Sequence, residues 1–352
     1  MTEKQPPAAG SFAAQWGFTI PSSFLAAIRE ARTVVLMTHR GPDGDGLGSQ
    51  AALIAAFDGM GKQVSVLNCD KVPPRYRFLD PEGRLGLYSS SDQSSICDAD
   101  LALLVDTAEP GRAGTPARVR LKAARPLLAI DHHPRNAKGV DGFIAGDSSS
   151  TAEMVFVLLK ELGCPITQRI AEALFAGIAF DTHSFRFIRN NGRPLRIANE
   201  LLEAGADAEK IQNELFRHPP DLLALLGRLL PQFAVTAEGR VAVLVATKAH
   251  LAGLSLDSDE IGEVVNLINS LRGVRVCAFA RQRGRRSWRV NLRSQAGYPI
   301  NGVAREWGGG GHENAAGATL EGLTAEAVQA KLEKALAEIA SSRSTAPREE
   351  SS

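Results

Sequence analysis

His39, Asp43 and Asp45 stand in the segment THRGPDGDGLGS, after an apolar β-rich run and before an Ala/Leu-rich one. Glycines at 41, 44, 46 and 48 let the backbone turn without steric cost, so alternating carboxylates can aim at one point. A hard divalent cation is the natural target of such a loop. A polar loop with an Asp capping the following helix would give this one segment the same appearance. The pattern recurs, however. LALLV runs into Asp106-Thr107, PLLAI into Asp131-His132-His133-Pro134, and ALFAGIAF into Asp181-Thr182-His183-Ser184. Five of the seven histidines, His39, His132, His133, His183 and His312, fall in such motifs, and only His218 and His250 lie elsewhere. Isolated polar residues at strand ends do not account for that grouping.

The ligand types are carboxylate and imidazole with no thiolate, a set that suits Mn²⁺, Fe²⁺, Co²⁺ or Mg²⁺ better than a structural zinc. There are more Asp side chains than one ion needs. Two ions roughly 3.5–4 Å apart would use them all, clamp a phosphoryl oxygen and activate water at neutral pH. That is the design of a phosphoryl-ester hydrolase. The four cysteines, Cys69, Cys97, Cys164 and Cys277, form no CxxC pair, which fits neither a disulfide scaffold nor a zinc finger and reads as free thiols in a reducing compartment.

The elements that must position these residues follow from hydrophobic pattern. Apolar β-rich runs at 33–38, 63–67, 101–105 and 126–130 alternate with segments of helical length, which predicts a doubly wound, mainly parallel α/β sheet. In such a sheet ligands bind at the carboxyl ends of the strands, where the Asp and His motifs fall. From Ser148 to about Phe216 the pattern is helical, and prolines at 219, 220 and 231 bracket one amphipathic helix at a domain joint. Beyond it, QFAVTAE with RVAVLVAT and VRVCAFARQRG with RSWRVNLRS read as hairpins, and LTAEAVQAKLEKALAEIA as a closing helix. The expected organisation is a flexible tail over 1–17, a catalytic domain over 18–217, a linker helix over 218–231, a smaller α/β substrate-binding domain over 232–340 and a disordered tail over 341–352.

Of 352 residues, 44% are hydrophobic, enough for two cores and too many for a disordered chain. With 40 Lys and Arg against 39 Asp and Glu, no global field draws the chain to nucleic acid or membrane, so attraction to an anion must be local. Residues 272–305 supply it, with nine arginines and no Asp, Glu or Lys. Arg283, Arg285 and Arg286 read as a solvated turn, whereas Arg293 and Ser294 are candidates for a terminal phosphate. Gly309, Gly310, Gly311 and His312, in GGGGHENAAG, read as a glycine loop that offers N–H groups to an anion. Residues 1–10 hold no basic stretch followed by an apolar core, and no apolar run reaches the roughly 18 residues of a membrane span, so a cytoplasmic protein with no membrane partner is expected.

Taken in order, HRGPDGDGLGS, VDT, IDHHP, FDTHSF and GGGGHENAAG resemble the DHH phosphoesterase family, in particular its standalone nanoRNase and 3′-phosphoadenosine-5′-phosphate phosphatase branch. The resemblance implies a DHH domain followed by a DHH-associated substrate-binding domain, with the active site in the interdomain cleft. It implies two divalent ions, Mn²⁺ first with Mg²⁺ or Co²⁺ as alternatives. His39 and Asp43 would hold one ion, Asp45 and His132 the other, and Asp106 and Asp181 would contact both. Asp131 would orient His132, His133 would face the phosphate, and Arg293, Ser294, Gly309, Gly310, Gly311 and His312 would bind substrate. The implied reaction is hydrolysis of short oligoribonucleotides and linear dinucleotides to mononucleotides, with 3′-phosphoadenosine 5′-phosphate as a further substrate and a second copy of the chain as an expected partner. A RecJ-like nuclease for long strands fits less well, because the chain lacks an aromatic stacking strip and room for an added oligonucleotide-binding domain. A pyrophosphatase would carry a different C-terminal domain, and a non-catalytic nucleotide sensor would not need the complete ligand set. One departure stands out: the family usually has Gly where this chain has His183, beside Asp181, which bears on substrate preference more than on the metal centre.

Overall fold

The computed structural model describes residues 11–135, 138–188 and 192–342. A first compact unit ends at Arg217 and a second begins at His218. In the first, β1 (Thr33–Thr38), β2 (Gln63–Val66), β3 (Leu101–Val105), β4 (Leu127–Asp131) and β5 (Gly142–Ile144) form a parallel sheet in the order β2-β1-β3-β4-β5. The chain steps from β1 outward to β2 and then returns to the other side of β1 as β3. The carboxyl ends of β1 and β3 therefore flank the topological switch point, where side chains can converge on a ligand. Every residue of β3 is buried because both faces of the sheet are covered. Leu36, Leu103 and Ile130 pack under helices on one face, and Met37, Leu104 and Ala129 pack on the other.

The helices of this unit are α1 (Phe12–Gln15), α2 (Ser22–Glu30), α3 (Gly44–Gly59), α4 (Gln93–Asp98), α5 (Pro110–Ala113), α6 (Thr115–Arg120), α7 (Thr151–Glu161), α8 (Gln168–Asp181), α9 (Arg193–Glu203) and α10 (Ala208–Phe216). Helix α3 is buried along most of its length, and its close packing on α8 and α7 sets the site. A Cβ at Gly48 would lie 2.5 Å from the Ala173 carbonyl oxygen, and one at Gly177 would lie 2.7 Å from the Ala152 Cβ. Only glycine lets the three helices come this near, and the approach brings the first turn of α3 to the last turn of α8.

The expected flexible tail over 1–17 requires correction. Residues 11–17 are folded, with the Phe12 and Trp16 rings 6.3 and 5.9 Å from the Phe156 ring and the Ala13 N–H donating to Glu161 Oε2 at 2.8 Å. A four-residue helix is too short for periodicity to reveal, and its anchoring is aromatic. Residues 1–10 and 343–352 of the two expected tails lie outside the described residues, and the closing helix runs to Ser341.

The second unit contains β6 (Ala234–Thr236), β7 (Val241–Ala246), β8 (Val276–Gly284), β9 (Ser287–Ser294), β10 (Gly310–His312) and β11 (Ala315–Glu321), in the order β10-β11-β9-β8-β7-β6. Only β7 and β8 pair in parallel. Its helices are α11 (Pro220–Leu229), α12 (Lys248–Leu251), α13 (Ser258–Asn269), α14 (Asn301–Glu306) and α15 (Ala325–Ser341). Val290 and Leu292 pack with Val328 and Leu332 of α15, while Cys277 and Phe279 on the opposite face pack with Val264 and Val265 of α13. The helix expected as a linker contributes Leu222, Leu225 and Leu229 to this second core, so it belongs to the unit it introduces. Among the described residues, no helix is long and apolar enough to cross a membrane.

Candidate metal centre

Each strand of the switch point delivers a side chain at its carboxyl end. After β1 comes His39, after β3 Asp106, and β4 ends in Asp131 followed by His132 and His133. Asp43 is the N-cap of α3: its Oδ1 accepts from the Asp45 and Gly46 N–H groups at 3.1 and 3.3 Å. Its other oxygen, Oδ2, lies 3.7 Å from His39 Nε2. The capping role and a ligand role therefore coexist in one carboxylate, one oxygen for each.

Asp106 sits at the middle. Its Oδ2 is 3.1 Å from His39 Nε2, and its Oδ1 is 3.5 Å from His132 Nε2. His132 Nε2 is in turn 3.0 Å from Asp181 Oδ2 and 3.9 Å from Asp45 Oδ2. Among the described residues of the first unit, three groups bring their ligand atoms close enough to hold a metal ion, His39 with Asp43 and Asp106, Asp45 with His132 and Asp181, and Asp106 with Asp131 and His133. Of the two carboxylates expected to reach both ions, Asp106 faces both imidazoles and Asp181 stands beside His132. The backbone at Asp106 has φ 61°. A non-glycine residue in that left-handed region is uncommon, and such strain concentrates at functional sites.

A contact that sequence reasoning missed comes from the start of α7. The Thr151 and Ala152 N–H groups donate to Asp45 Oδ2 and Oδ1 at 2.6 and 2.8 Å, and Thr151 Oγ1 donates to Asp106 Oδ1 at 2.9 Å. The helix terminus thus holds one carboxylate with its orphan N–H groups and positive dipole end. The sequence signal was the run Ser148-Ser149-Ser150-Thr151 ahead of an apolar helix, which marks an N-terminus but not its distant partner.

The expected role of Asp131 also requires correction. Its Oδ1 accepts from His133 Nδ1 at 2.7 Å and its Oδ2 from the Ala108 N–H at 2.7 Å, so it orients His133. His132 Nδ1 instead faces the Ser148 carbonyl oxygen at 3.3 Å. In extended chain, neighbouring side chains point to opposite sides, so 131 and 133 share one side and 132 takes the other. Held at Nδ1 by a carbonyl, His132 presents Nε2 to the carboxylates.

The electrostatics show a cluster short of positive charge. Burial pushes Asp43 up to about 7, aided by Asp106 and Asp181 and opposed by His39. Burial with the charges of Asp106 and Asp181 raises Asp45 well above the ordinary carboxylate range. Burial alone would lower His39, but the bond to Asp106 and the charges of Asp43 and Asp106 win and raise it to about 9. His132 is raised for the same reason, chiefly by Asp181. Burial also works against Asp106, yet the His39 bond and the His133, His39 and His132 charges hold it below the usual range. Protons on the imidazoles and carboxylates thus partly balance a set of buried hard oxygen ligands. Divalent cations are the groups this donor set fits, since they supply the charge and take oxygen and imidazole together.

His183, Ser184 and Phe185 follow Asp181 and Thr182 with φ of 52, 57 and 63°. A left-handed backbone at 183 is the physical reason a glycine suits this place, and His183 occupies it at a cost. Its ring lies 5.7 Å from the Phe216 ring and 6.2 Å from that of Phe187. His183→Gly is therefore expected to leave metal content unchanged by elemental analysis while shifting the relative turnover of different phosphoesters. Loss of bound metal would make His183 a ligand.

In the second unit, the glycine run is not the loop it was expected to be. Gly310–His312 is strand β10, with Gly310, Gly311 and His312 opposite Gly317, Ala316 and Ala315 of β11. A Cβ at Gly311, which has φ 139°, would lie 2.4 Å from the Ala315 carbonyl oxygen. Gly309 precedes the strand. Glycine's poor strand propensity hid an edge strand that close backbone packing requires. Arg293 and Ala315 are paired, as are Ala315 and His312, so Arg293 and His312 share one cross-strand row with a small side chain between them. Arg293 is half-buried and donates from Nε to Asn266 Oδ1 at 3.0 Å. Ser294 is buried, and its hydroxyl accepts from Asn314 Nδ2 at 2.8 Å.

A doubly wound parallel sheet that gathers carboxylates and imidazoles at the switch point, in adjoining clusters that could hold metal ions, is the architecture of an α/β phosphoesterase. The family model for the DHH family, N-terminal domain, matches residues 33–178, and that for the DHHA1 domain matches residues 238–341. The bifunctional oligoribonuclease and PAP phosphatase NrnA of Thermus thermophilus is 35% identical over 295 residues, covering 82% of this chain and 85% of that protein. The protein of the same name from Bacillus subtilis is 27% identical over 293 residues, covering 82% and 89%. The crystal structure of an exopolyphosphatase-related protein from Bacteroides fragilis superimposes with a TM-score of 0.82 at 26% identity, over 91% of this chain and 97% of that one. The chain belongs to the DHH family of phosphoesterases.

Proposed function

We propose that this protein hydrolyses short oligoribonucleotides and linear dinucleotides to mononucleotides, with 3′-phosphoadenosine 5′-phosphate as a further substrate. The observation that carries the reading is Asp106 set between His39 and His132, the arrangement a two-ion phosphoesterase needs. The relatives named as oligoribonucleases and PAP phosphatases point to the substrate class.

His39, Asp43 and Asp106 would hold one ion, and Asp45, His132, Asp181 and again Asp106 the other, with Mn²⁺ the preferred metal and Mg²⁺ or Co²⁺ able to replace it. When bound, such ions neutralise phosphoryl charge and lower the pKa of water. Asp131 fixes His133 through Nδ1, so that the other ring nitrogen serves a phosphate oxygen. Arg293 and His312, in one row on the second unit, hold the nucleotide end, and Ser294 fixes Asn314 beside them. Gly309, Gly310 and Gly311 keep that edge clear of side chains. A guanidinium rewards a phosphate in one geometry, which suits Arg293 to a terminal phosphate.

The test is a substrate panel with Mn²⁺: pApA, pGpG, RNA of increasing length, 3′-phosphoadenosine 5′-phosphate and pyrophosphate. The expected result is that kcat/KM peaks at a few nucleotides and falls for longer RNA. Equal efficiency on long single strands, or turnover of pyrophosphate alone, overturns the reading.

A further inference from the structure

We propose a second phosphate subsite on the second unit, centred on Arg289, which takes a phosphodiester beyond the terminal nucleotide; it rests on the oligonucleotide reading above. Strand alternation puts Arg289, Asn291 and Arg293 on one face of β9, while Trp288, Val290 and Leu292 face the core beneath α15. The register extends this face sideways in rows. His312 and Ala315 continue the row of Arg293, Gly310 and Gly317 that of Asn291, and Thr319 and Arg281 flank Arg289 on either side. Helix α13 borders the strip. Ser258 Oγ accepts from Arg281 Nη2 at 2.8 Å, Gly262 stands against Asn291, and Asn266 accepts from Arg293. The middle of the strip is thus floored by the small residues Ala315, Gly317 and Gly310, and the Arg289 guanidinium lies over Gly317, where a Cβ would come within 3.0 Å of its Nη2.

Arg289 is the group within this strip that the fold does not explain. It is half-buried, and among the described residues its guanidinium has no hydrogen bond or ion pair. The acidic residue at that end of β11, Glu321, accepts from Ser287 instead. The charge that bears on Arg289 is another cation, Arg283, which together with burial lowers its pKa. A desolvated guanidinium beside a like charge is costly unless an anion completes it, and phosphate matches its fork geometry. Four residues of strand separate Arg289 from Arg293, roughly 13 Å between Cα atoms. Arg293 donates from Nε to Asn266 Oδ1 and from Nη1 to the Leu292 carbonyl oxygen, which ties its guanidinium at its own end of the strip and leaves Arg289 to take a separate phosphate of the same oligonucleotide. A dinucleotide would use Arg293, and a longer one would reach Arg289 as well.

The experiment compares kcat/KM for a 5′-phosphorylated tetra-adenylate and for pApA in wild type, Arg289→Gln and Arg289→Lys. In Arg289→Gln the tetranucleotide-to-dinucleotide ratio is expected to fall about tenfold, the worth of one hydrogen bond to a charged group. Arg289→Lys should recover part of it, because the charge remains without the fork. Binding of the tetra-adenylate to metal-free protein, where no cleavage intervenes, should weaken by a similar factor. An unchanged ratio, or an equal loss on both substrates, overturns the subsite. If wild-type protein turns over neither oligonucleotide, the functional reading fails, and the binding arm alone still decides for or against Arg289.

Discussion

Asp106→Asn is expected to lower turnover on the order of 10³-fold, comparable to removing a principal electrostatic stabiliser from an active site, and to reduce bound metal, with the fold intact. The variant isolates charge from shape. Asparagine is nearly isosteric and is one of the few residues that accept φ near 61°, so the strained backbone at 106 survives the exchange. Its amide can still accept from Thr151 Oγ1 through one atom, as Asp106 Oδ1 does. What it cannot do is face His39 and His132 with an anionic oxygen each, which the wild-type carboxylate does at 3.1 and 3.5 Å. With that charge gone, the bond that most raises His39 is weakened and the two clusters lose their common member. Elemental analysis, thermal melting and turnover with Mn²⁺ check the three parts separately. Near-native activity in this variant would show that Asp106 does not serve both ions.

The residues that converge here were legible because each follows a strong apolar run. LALLV is a fully buried strand, and Asp106 is where it must stop. TVVLMT and PLLAI place His39 and Asp131 to His133 in the same way, since a parallel sheet with both faces covered leaves polar residues only at strand ends. What escaped notice depends on contacts between distant segments or on backbone geometry that periodicity does not encode. Thr151 meets Asp45 across 106 residues of chain. The partner of Asp131 is decided by which way the extended chain points after β4, where adjacency in sequence suggests His132 and geometry selects His133. Strand β5 is three residues long and begins at Gly142, and β10 consists of two glycines and His312, so neither carries the β-branched pattern by which strands are recognised. The left-handed stretch at 183–185 is invisible for the opposite reason, because histidine, serine and phenylalanine are the wrong residues to announce it.

Arg193→Ala is expected to destabilise the first unit by about 3–5 kcal/mol, the cost of leaving one member of a buried ion pair alone. Arg193 opens α9, donates from Nε to Glu153 Oε2 at 2.9 Å and from Nη1 to the Trp16 carbonyl oxygen at 3.0 Å, and lies 3.9 Å over the Phe18 ring. It ties the N-terminal segment, α7 and α9 together through one buried guanidinium. Glu153 is fully buried on α7, where its other oxygen accepts from the Ser149 N–H at 2.9 Å, and burial raises its pKa even with Arg193 present. Without the arginine that carboxylate must bury an unmatched charge or take a proton. At about 2–4 °C per kcal/mol for a unit of this size, the melting transition of the first unit should fall by roughly 6–20 °C at neutral pH. The sign of the pH dependence follows from a raised folded-state pKa: the penalty is full above that raised value, shrinks as pH falls from it toward the ordinary glutamate value of 4.5, and is gone below 4.5, where both states are protonated. Replacing both partners, Glu153→Leu with Arg193→Leu, removes the orphan charge and should recover much of the loss. The same pair connects to the metal centre, because Glu153 steadies the turn at Ser149 and the α7 terminus just beyond it holds Asp45. Arg193→Ala should therefore also weaken Mn²⁺ uptake below its melting transition, although no ligand has been touched. If calorimetry finds the single and double variants equally stable, the guanidinium matters for packing rather than for charge.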